Sequence, residues 1–237
     1  MSARRDNKTR SGAGGEDCTG STMSADSAAR PTRGSEPHAD RAPTYYQCPA
    51  CGFLSDDPAF GSPDSPCPVC GAIEQMRRTF PTERLRRLDE RIRRYHTDKE
   101  HEIVVILVAA FLEAILEDII DRILISRGAD LPVRRLVLDG ERGIGGRLAH
   151  TFPKLTGSTF EEIAAELGFE EFPHEWRMMR KSRNAFIHDS PFHGPQETLD
   201  SGLAEKAMTL LDQAYRLFVR INNSYAIARP DDDHGSG

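Results

Sequence analysis

Large apolar side chains are scarce at the start of this chain. Across residues 1–43 only Met1, Cys18 and Met23 stand among Ser, Gly, Arg, Asp and Ala. Such a stretch cannot bury enough surface to offset the entropy of ordering, so a disordered tail is expected there. It has no apolar core segment of the kind a secretory signal carries. Long hydrophobic runs are missing elsewhere too. The longest, over residues 103–112, is about half of what a bilayer span needs. No membrane association is therefore expected, and the location is read as cytoplasmic. Positive charge is also lacking: the net charge is −6. Proteins that coat nucleic acid non-specifically are usually basic, because phosphate neutralisation drives that binding. Any contact with nucleic acid here must be local.

At 237 residues, 38% of them hydrophobic, the chain is long enough for a medium domain and a small one. The composition divides it into a tail (1–43), a segment rich in Cys, Pro and Gly (44–80), a thin amphipathic linker helix (81–97), a helical region (98–228) and a short flexible end (229–237). Leu85, Leu88, Ile92 and Tyr95 recur at helical steps. Thr97-x-x-Glu100 reads as a capping box opening a helix near Asp98 that stops at Gly128. Its centre is apolar on most faces and should form the middle of the core. Glu113, Glu117 and Asp121 form one stripe on it, read either as a solvated face or as a polar network reaching the active site. Weaker helices are predicted over 132–138 and 143–153, one over 159–167 capped by Ser158, and one over 174–187 opened by Pro173. A long last helix over 200–225 turns Leu203, Ala207, Leu210, Leu211, Ala214, Leu217, Phe218 and Ile221 inward. The fold class is mainly α, with a small ribbon in front.

Cys48-Pro-Ala-Cys51-Gly and Cys67-Pro-Val-Cys70-Gly are matching knuckles. Their C-x2-C-x15-C-x2-C spacing fits tetrahedral thiolate ligation of one ion, and the Gly after each pair permits the positive φ that such turns need. Two disulfides are the competing pairing, disfavoured without a secretory signal. Thiolate sites of this kind take zinc or iron, and structural zinc is favoured because no partner redox centre is visible. The ion would supply folding energy to a segment too small for its own core. Cys18 is read as a bystander. The wording Tyr46-Gln-Cys48-Pro-Ala-Cys51-Gly-Phe53 resembles rubredoxin-like knuckles, with a gap nearer to the short ribbons fused to other domains.

The segment 176–189 concentrates four cations, Arg177, Arg180, Lys181 and Arg183, within seven positions. Asn184 and His188 are four apart and share a helix face. Arg183 and His188 are five apart, about 140° around a helix. They would line two sides of a groove, unless a helix end near His188 brings them closer. Arginine matches phosphate, and histidine exchanges protons near neutral pH. RNA cleavage at a 2′-hydroxyl needs those two services and no metal. An ordinary solvated helix carries the same spacing often enough that spacing alone does not decide.

Arg183-Asn184-Ala-Phe-Ile-His188 resembles the R-x4-6-H signature of the HEPN superfamily, and Trp176 stands seven residues upstream of Arg183. Phe111-Leu-Glu-Ala-Ile-Leu-Glu-Asp-Ile-Ile is similar to that fold's long early helix, and Ala149-His-Thr-Phe-Pro-Lys-Leu-Thr-Gly157 to its middle connection. The resemblance covers about residues 98–226. It implies a helical up-and-down bundle that dimerises, with the two motifs meeting in one cleft. Many members are ribonucleases of toxin, defence or RNA-processing systems; others have lost catalysis and bind nucleotides or partners. Carried onto this chain, Arg183 would stabilise phosphate, Asn184 would hold the scissile group and His188 would be general base or acid, with Arg180 and Lys181 adding phosphate contacts. His193 is a weaker substitute, and His150 and His174 are read as structural or surface residues. The resulting expectation is a metal-independent endoribonuclease acting on RNA in anti-phage defence or beside an antitoxin. The alternative is a non-catalytic adaptor that binds RNA, nucleotide or protein and dimerises through its helices. A rubredoxin-like redox role is opposed by the lack of any flavin or di-iron motif.

Overall fold

The computed structural model describes residues 43–73, 75–141, 143–188 and 199–228. The expected tail up to residue 42, Cys18, His193 and the 229–237 end lie outside them. The fold is mainly helical, with a small three-stranded sheet in front. Strands β1 (Tyr45–Gln47), β2 (Leu54–Ser55) and β3 (Arg78–Phe80) are antiparallel in the order β2-β1-β3. Tyr46 lies opposite Ser55 on one side and opposite Thr79 on the other. The helices are α1 (Glu83–Thr97), α2 (His101–Ser126), α3 (Leu131–Gly140), α4 (Ile144–Gly146), α5 (Phe152–Thr156), α6 (Phe160–Glu166), α7 (Phe172–His188) and α8 (Ser201–Tyr225). A π-helical turn, Arg147–Thr151, joins α4 to α5.

The apolar run of α2 occupies the centre, as expected. Val104, Val105, Val108, Phe111, Leu112, Ile115, Leu116, Ile119, Ile120 and Ile123 are all fully buried. Helices α1 and α8 flank it most extensively, and α7 adds a further side. The periodic face of α8 packs inward through Ala207, Leu210, Leu211, Ala214, Leu217, Phe218 and Ile221. An aromatic layer closes the bundle where Phe160 meets Trp176 at 5.8 Å between ring centroids and stacks on Phe218 at 6.1 Å. Tyr45, Leu54 and Phe80 from the sheet join this core, and the Arg122 guanidinium lies 4.9 Å from the Phe80 ring centroid.

Two expected caps are displaced. Thr97 does not open α2: its hydroxyl donates back to the Arg93 carbonyl at 3.0 Å, so α1 runs through it. The turn is made instead by Lys99 at φ 61°, and α2 begins at His101. The physical reason is local: Thr97 is still inside α1, so it cannot take the extended backbone that an N-cap needs. The cap of α6 is Thr159 rather than Ser158, in a full capping box with Glu162. That box satisfies two of the donors left open at the helix start.

Helix α1, which packs mainly on α2, is tied to α8 by charge. The Asp89 side chain is fully buried and accepts from Arg93 Nε at 2.9 Å, while Arg93 Nη2 donates to Asp212 at 2.7 Å. Burial raises the Asp89 carboxyl above its ordinary range, against the lowering influence of Arg93. Removing one member of such a pair leaves the other buried and uncompensated. Asp89→Ala is therefore expected to cost about 3 kcal/mol and to lower Tm by about 6–12 °C, read by calorimetry. A change within 1 °C would mean that the pair contributes nothing.

Candidate functional site

Two constellations carry chemistry. The first is built by the knuckles. Cys48 N–H bonds the Phe53 carbonyl and Gly52 N–H returns to the Cys48 carbonyl, both at 2.9 Å; Cys67 and Gly71 repeat the pattern with Ala72, at 3.0 and 2.8 Å. The two glycines take φ values of +84° and +71°, as this turn demands. A side chain at Gly52 would also press on the Ala226 carbonyl, 3.2 Å from the position of its Cβ.

These turns bring Cys48, Cys51, Cys67 and Cys70 together, with all four sulfurs within 4.8 Å of one another. The Cys48 and Cys70 Sγ atoms are 3.8 Å apart, and those of Cys51 and Cys67 are 3.6 Å apart. A tetrahedral ion with metal–sulfur bonds of about 2.3 Å requires sulfurs about 3.8 Å apart. These are not disulfide distances, which are about 2.05 Å. The four cysteines are arranged to bind one metal ion. Burial pushes the Cys48 thiol up, but the amides of Cys51 and Ala50 and the neighbouring sulfurs outweigh it and bring it down to about 7. Burial dominates at Cys51 and Cys70 and holds both above the ordinary thiol value.

A fifth residue belongs to this centre. Arg77, 7% exposed, directs Nη1 at Cys48 Sγ at 3.4 Å. Its Nη2 donates to the Ser65 carbonyl at 2.6 Å and the Ala72 carbonyl at 3.1 Å, and its guanidinium lies 4.5 Å from the Phe60 ring centroid. A buried cation beside an all-thiolate centre offsets part of its negative charge, and the same fork ties the second knuckle in place. No ligand spacing reveals it, since Arg77 sits among ordinary residues seven positions after Cys70. Outer-shell partners of this kind are worth about 10–100-fold in metal affinity. Arg77→Met should therefore release metal to a competing chelator at least tenfold more readily, with Arg77→Lys between that variant and the wild type. Equal release by all three would exclude the role.

The centre is clamped to the end of α8. Asn223 Oδ1 accepts from the Leu54 amide at 2.9 Å and its Nδ2 donates to the Leu54 carbonyl at 2.8 Å. Asn222 donates to the Gly52 carbonyl at 3.0 Å, and Ala228 N–H to that of Cys51 at 3.1 Å.

The second constellation is on α7. Arg183 and His188 both lie within α7, which ends at His188, so the helical spacing of about 140° holds between them. Arg183 is half-buried and donates from Nη1 to Asn184 Oδ1 at 2.8 Å; Asn184, Lys181 and His188 are exposed. On a regular helix Arg177, Arg180, Asn184 and His188 fall along one stripe, with Arg183 at its edge and Lys181 on the opposite flank. The acidic stripe of α2 is answered by arginines. Glu117 accepts from Arg147 at 3.0 Å, Asp121 is paired with Arg134, and Glu113 stands 4.0 Å from Arg180. His150 and His174 are exposed.

These elements define a helical protein with a four-cysteine cluster, arranged to bind a metal ion, clamped to the end of α8. No helix among the described residues is long and apolar enough to cross a membrane. No family model, curated protein or solved structure matches the chain.

Proposed function

We propose that the helical region is a metal-independent endoribonuclease of the HEPN type and that the ribbon holds a structural zinc ion. The observation that carries the first part is the stripe on α7. Three nitrogen-bearing side chains, Arg177, Arg180 and His188, and one amide, Asn184, follow a single exposed-to-half-buried line in a chain of net charge −6. His188 as neutral imidazole takes the proton of an RNA 2′-hydroxyl. The 2′-oxygen bonds to phosphorus, the bond from phosphorus to the 5′-oxygen breaks, and that oxygen takes up a proton from the His188 imidazolium or from water. Arg183, held against Asn184, meets the phosphorane charge, and Arg180 and Lys181 hold flanking phosphates. The products are a 2′,3′-cyclic phosphate and a 5′-hydroxyl. The test is incubation with total RNA and tRNA in EDTA without added magnesium, with the ribbon's metal measured in parallel. Cyclic-phosphate ends in EDTA support the reading; a strict magnesium requirement rejects it. Zinc is favoured over iron because the sequence carries no flavin or di-iron motif that would serve as an electron partner. The colour of the purified protein separates the two, ferric thiolate being red and zinc colourless.

The partner in this reading is a second copy of the chain. Phe186 and Ile187 leave the last turn of α7 with 38% and 47% of their surface exposed, an apolar edge next to His188 that a symmetric contact would cover. Light scattering at micromolar concentration should give twice the chain mass of 26.4 kDa; a monomeric mass counts against it. The same apolar edge favours the second reading, a non-catalytic adaptor whose α7 docks a partner protein, such as an antitoxin or a defence component. Absence of cleavage with any RNA, together with retained binding, would select that adaptor.

A further inference from the structure

A groove of about 560 Å³ runs between α1 and α2. Its floor is apolar: Leu88 of α1 with Ala110 and Ala114 of α2, all half-buried. One wall is a line of arginines. Arg84, Arg87, Arg91 and Arg94 follow one another along α1 at steps of three and four residues, so they share one flank over about 15 Å, and all four are exposed. Arg87 is paired with Glu83 at 2.9 Å; among the described residues Arg84, Arg91 and Arg94 pair with no carboxylate. The acids on the neighbouring stretch of α2 are already engaged, Asp118 by Arg122, Asp121 by Arg134 and Glu117 by Arg147. Glu90 is the one acid between these arginines. A second hollow of about 290 Å³ shares Arg84 and Ala114 with the first and carries it on to Leu131 and Arg135 of α3, both exposed. In a chain of net charge −6, this flank is a local excess of positive charge beside an apolar floor.

That combination selects the occupant. A phosphate backbone would meet the arginines but has nothing apolar to set on Leu88, Ala110 and Ala114. A small anion would use neither the length of the line nor the floor. A helix with carboxylates on one line and aliphatic side chains beside it meets both. Its acidic positions recur at the same three- and four-residue steps as the arginines, and its apolar ones enter the groove. We infer that α1 and α2 form a docking groove for an acidic amphipathic helix of a partner protein. The groove shares no residue with the α7 stripe, and α1 precedes the region that resembles the HEPN fold, so the inference does not depend on RNA cleavage.

The probe is a synthetic helical peptide with glutamates on one line and leucines beside it, fluorescein-labelled and titrated into the full-length, metal-loaded protein. Saturable binding by anisotropy is expected, weakening as salt is added. Arg84→Glu combined with Arg91→Glu should weaken it by roughly tenfold or more, since both substitutions turn attraction into repulsion. Both side chains are exposed, so the double variant should keep the wild-type Tm. A peptide with lysines in place of the glutamates should bind the double variant and not the wild type. Replacing the peptide's leucines by alanine keeps the helix, removes the aliphatic bulk and should also weaken binding. Equal affinity of the alanine peptide would overturn the inference, because the contact would then be charge alone. Tighter binding of a single-stranded RNA or a DNA duplex, lost in the same double variant, would overturn it in favour of nucleic acid. Peptide binding untouched by the double variant, or none at millimolar peptide, would overturn it as well.

Discussion

Stripping the metal from the ribbon should unfold it and release the end of α8. Metal analysis of protein purified without added metal should find about one equivalent per chain. After removal by acid and chelator, the amides of Cys48, Gly52, Cys67 and Gly71, all hydrogen-bonded within the knuckles, should exchange freely. The ribbon's buried cluster contains only Cys48, Cys51, Phe60 and Cys67, too little apolar surface to hold the turns without the ion. In isolated zinc-finger peptides the apparent metal free energy is about 10–16 kcal/mol, as large as the whole stability of an ordinary domain. The effect should therefore be all-or-none within the ribbon. It should also travel. Asn222 and Asn223 hold the carbonyls of Gly52 and Leu54, so losing the knuckle leaves the last turn of α8 without those partners, and Tm of the helical region should fall. Helical circular dichroism should remain, because α2 and the inner face of α8 do not depend on the ribbon for most of their burial. The Cys48→Ser, Cys51→Ser double variant should reproduce the metal-free protein. Full exchange protection in a metal-free sample would refute the assignment. Affinity should rise with pH, since binding requires thiolates and releases their protons.

The parts of this molecule that the sequence announced are those with a local code. Two cysteine pairs with a glycine after each specify their own turns, and the sulfurs meet as the spacing implies. The apolar run of α2 and the three- and four-residue steps of α8 specify burial directly. What stayed hidden depends on partners far along the chain. Asn223 reaches Leu54 across 169 positions, and nothing in the Asn222-Asn223 pair signals a clamp. Arg77 looks like any arginine until Phe60, Ser65 and Ala72 fold around it. The acidic stripe of α2 read first as a solvated face, until Arg134, Arg147 and Arg180 arrived from three other elements. The capping box at Thr97 was a correct pattern in the wrong place, because α1 runs on through Thr97 and leaves it no extended backbone for a cap. Helix α1, legible only as a thin amphipathic segment, buries Leu85, Ile92 and the Asp89 carboxylate; that charge is answered by Arg93, which also reaches Asp212 of α8, and no local pattern connects Asp212 to it.

His188→Ala is expected to lower the rate of RNA cleavage by about 10²–10⁴-fold, because it deletes proton transfer. Arg183→Ala should lower it by about 10²–10³-fold, because it deletes one donor to the phosphorane charge. The two losses have different causes, and the geometry separates them. His188 is exposed at the end of α7, whereas Arg183 is half-buried and already oriented by Asn184 at 2.8 Å. Arg183→Lys should therefore recover little, since a lysine cannot present the planar fork that bonds both Asn184 and a phosphate. Asn184→Ala should cost less than either, acting through the freedom it gives Arg183. Both main variants should stay folded, with Tm within a few degrees of wild type, because neither side chain belongs to the buried core. With about 140° of helix between them, Arg183 and His188 of one chain would, in the proposed mechanism, reach the phosphate from different sides. A loss in both variants that is non-additive in the double variant would mark them as one catalytic unit. Cleavage should persist in EDTA, end in a 2′,3′-cyclic phosphate, and fail where the 2′-hydroxyl at the cut is replaced by hydrogen. If His188→Ala protein cleaves at the wild-type rate, the histidine is not the catalyst, and α7 is then a binding surface.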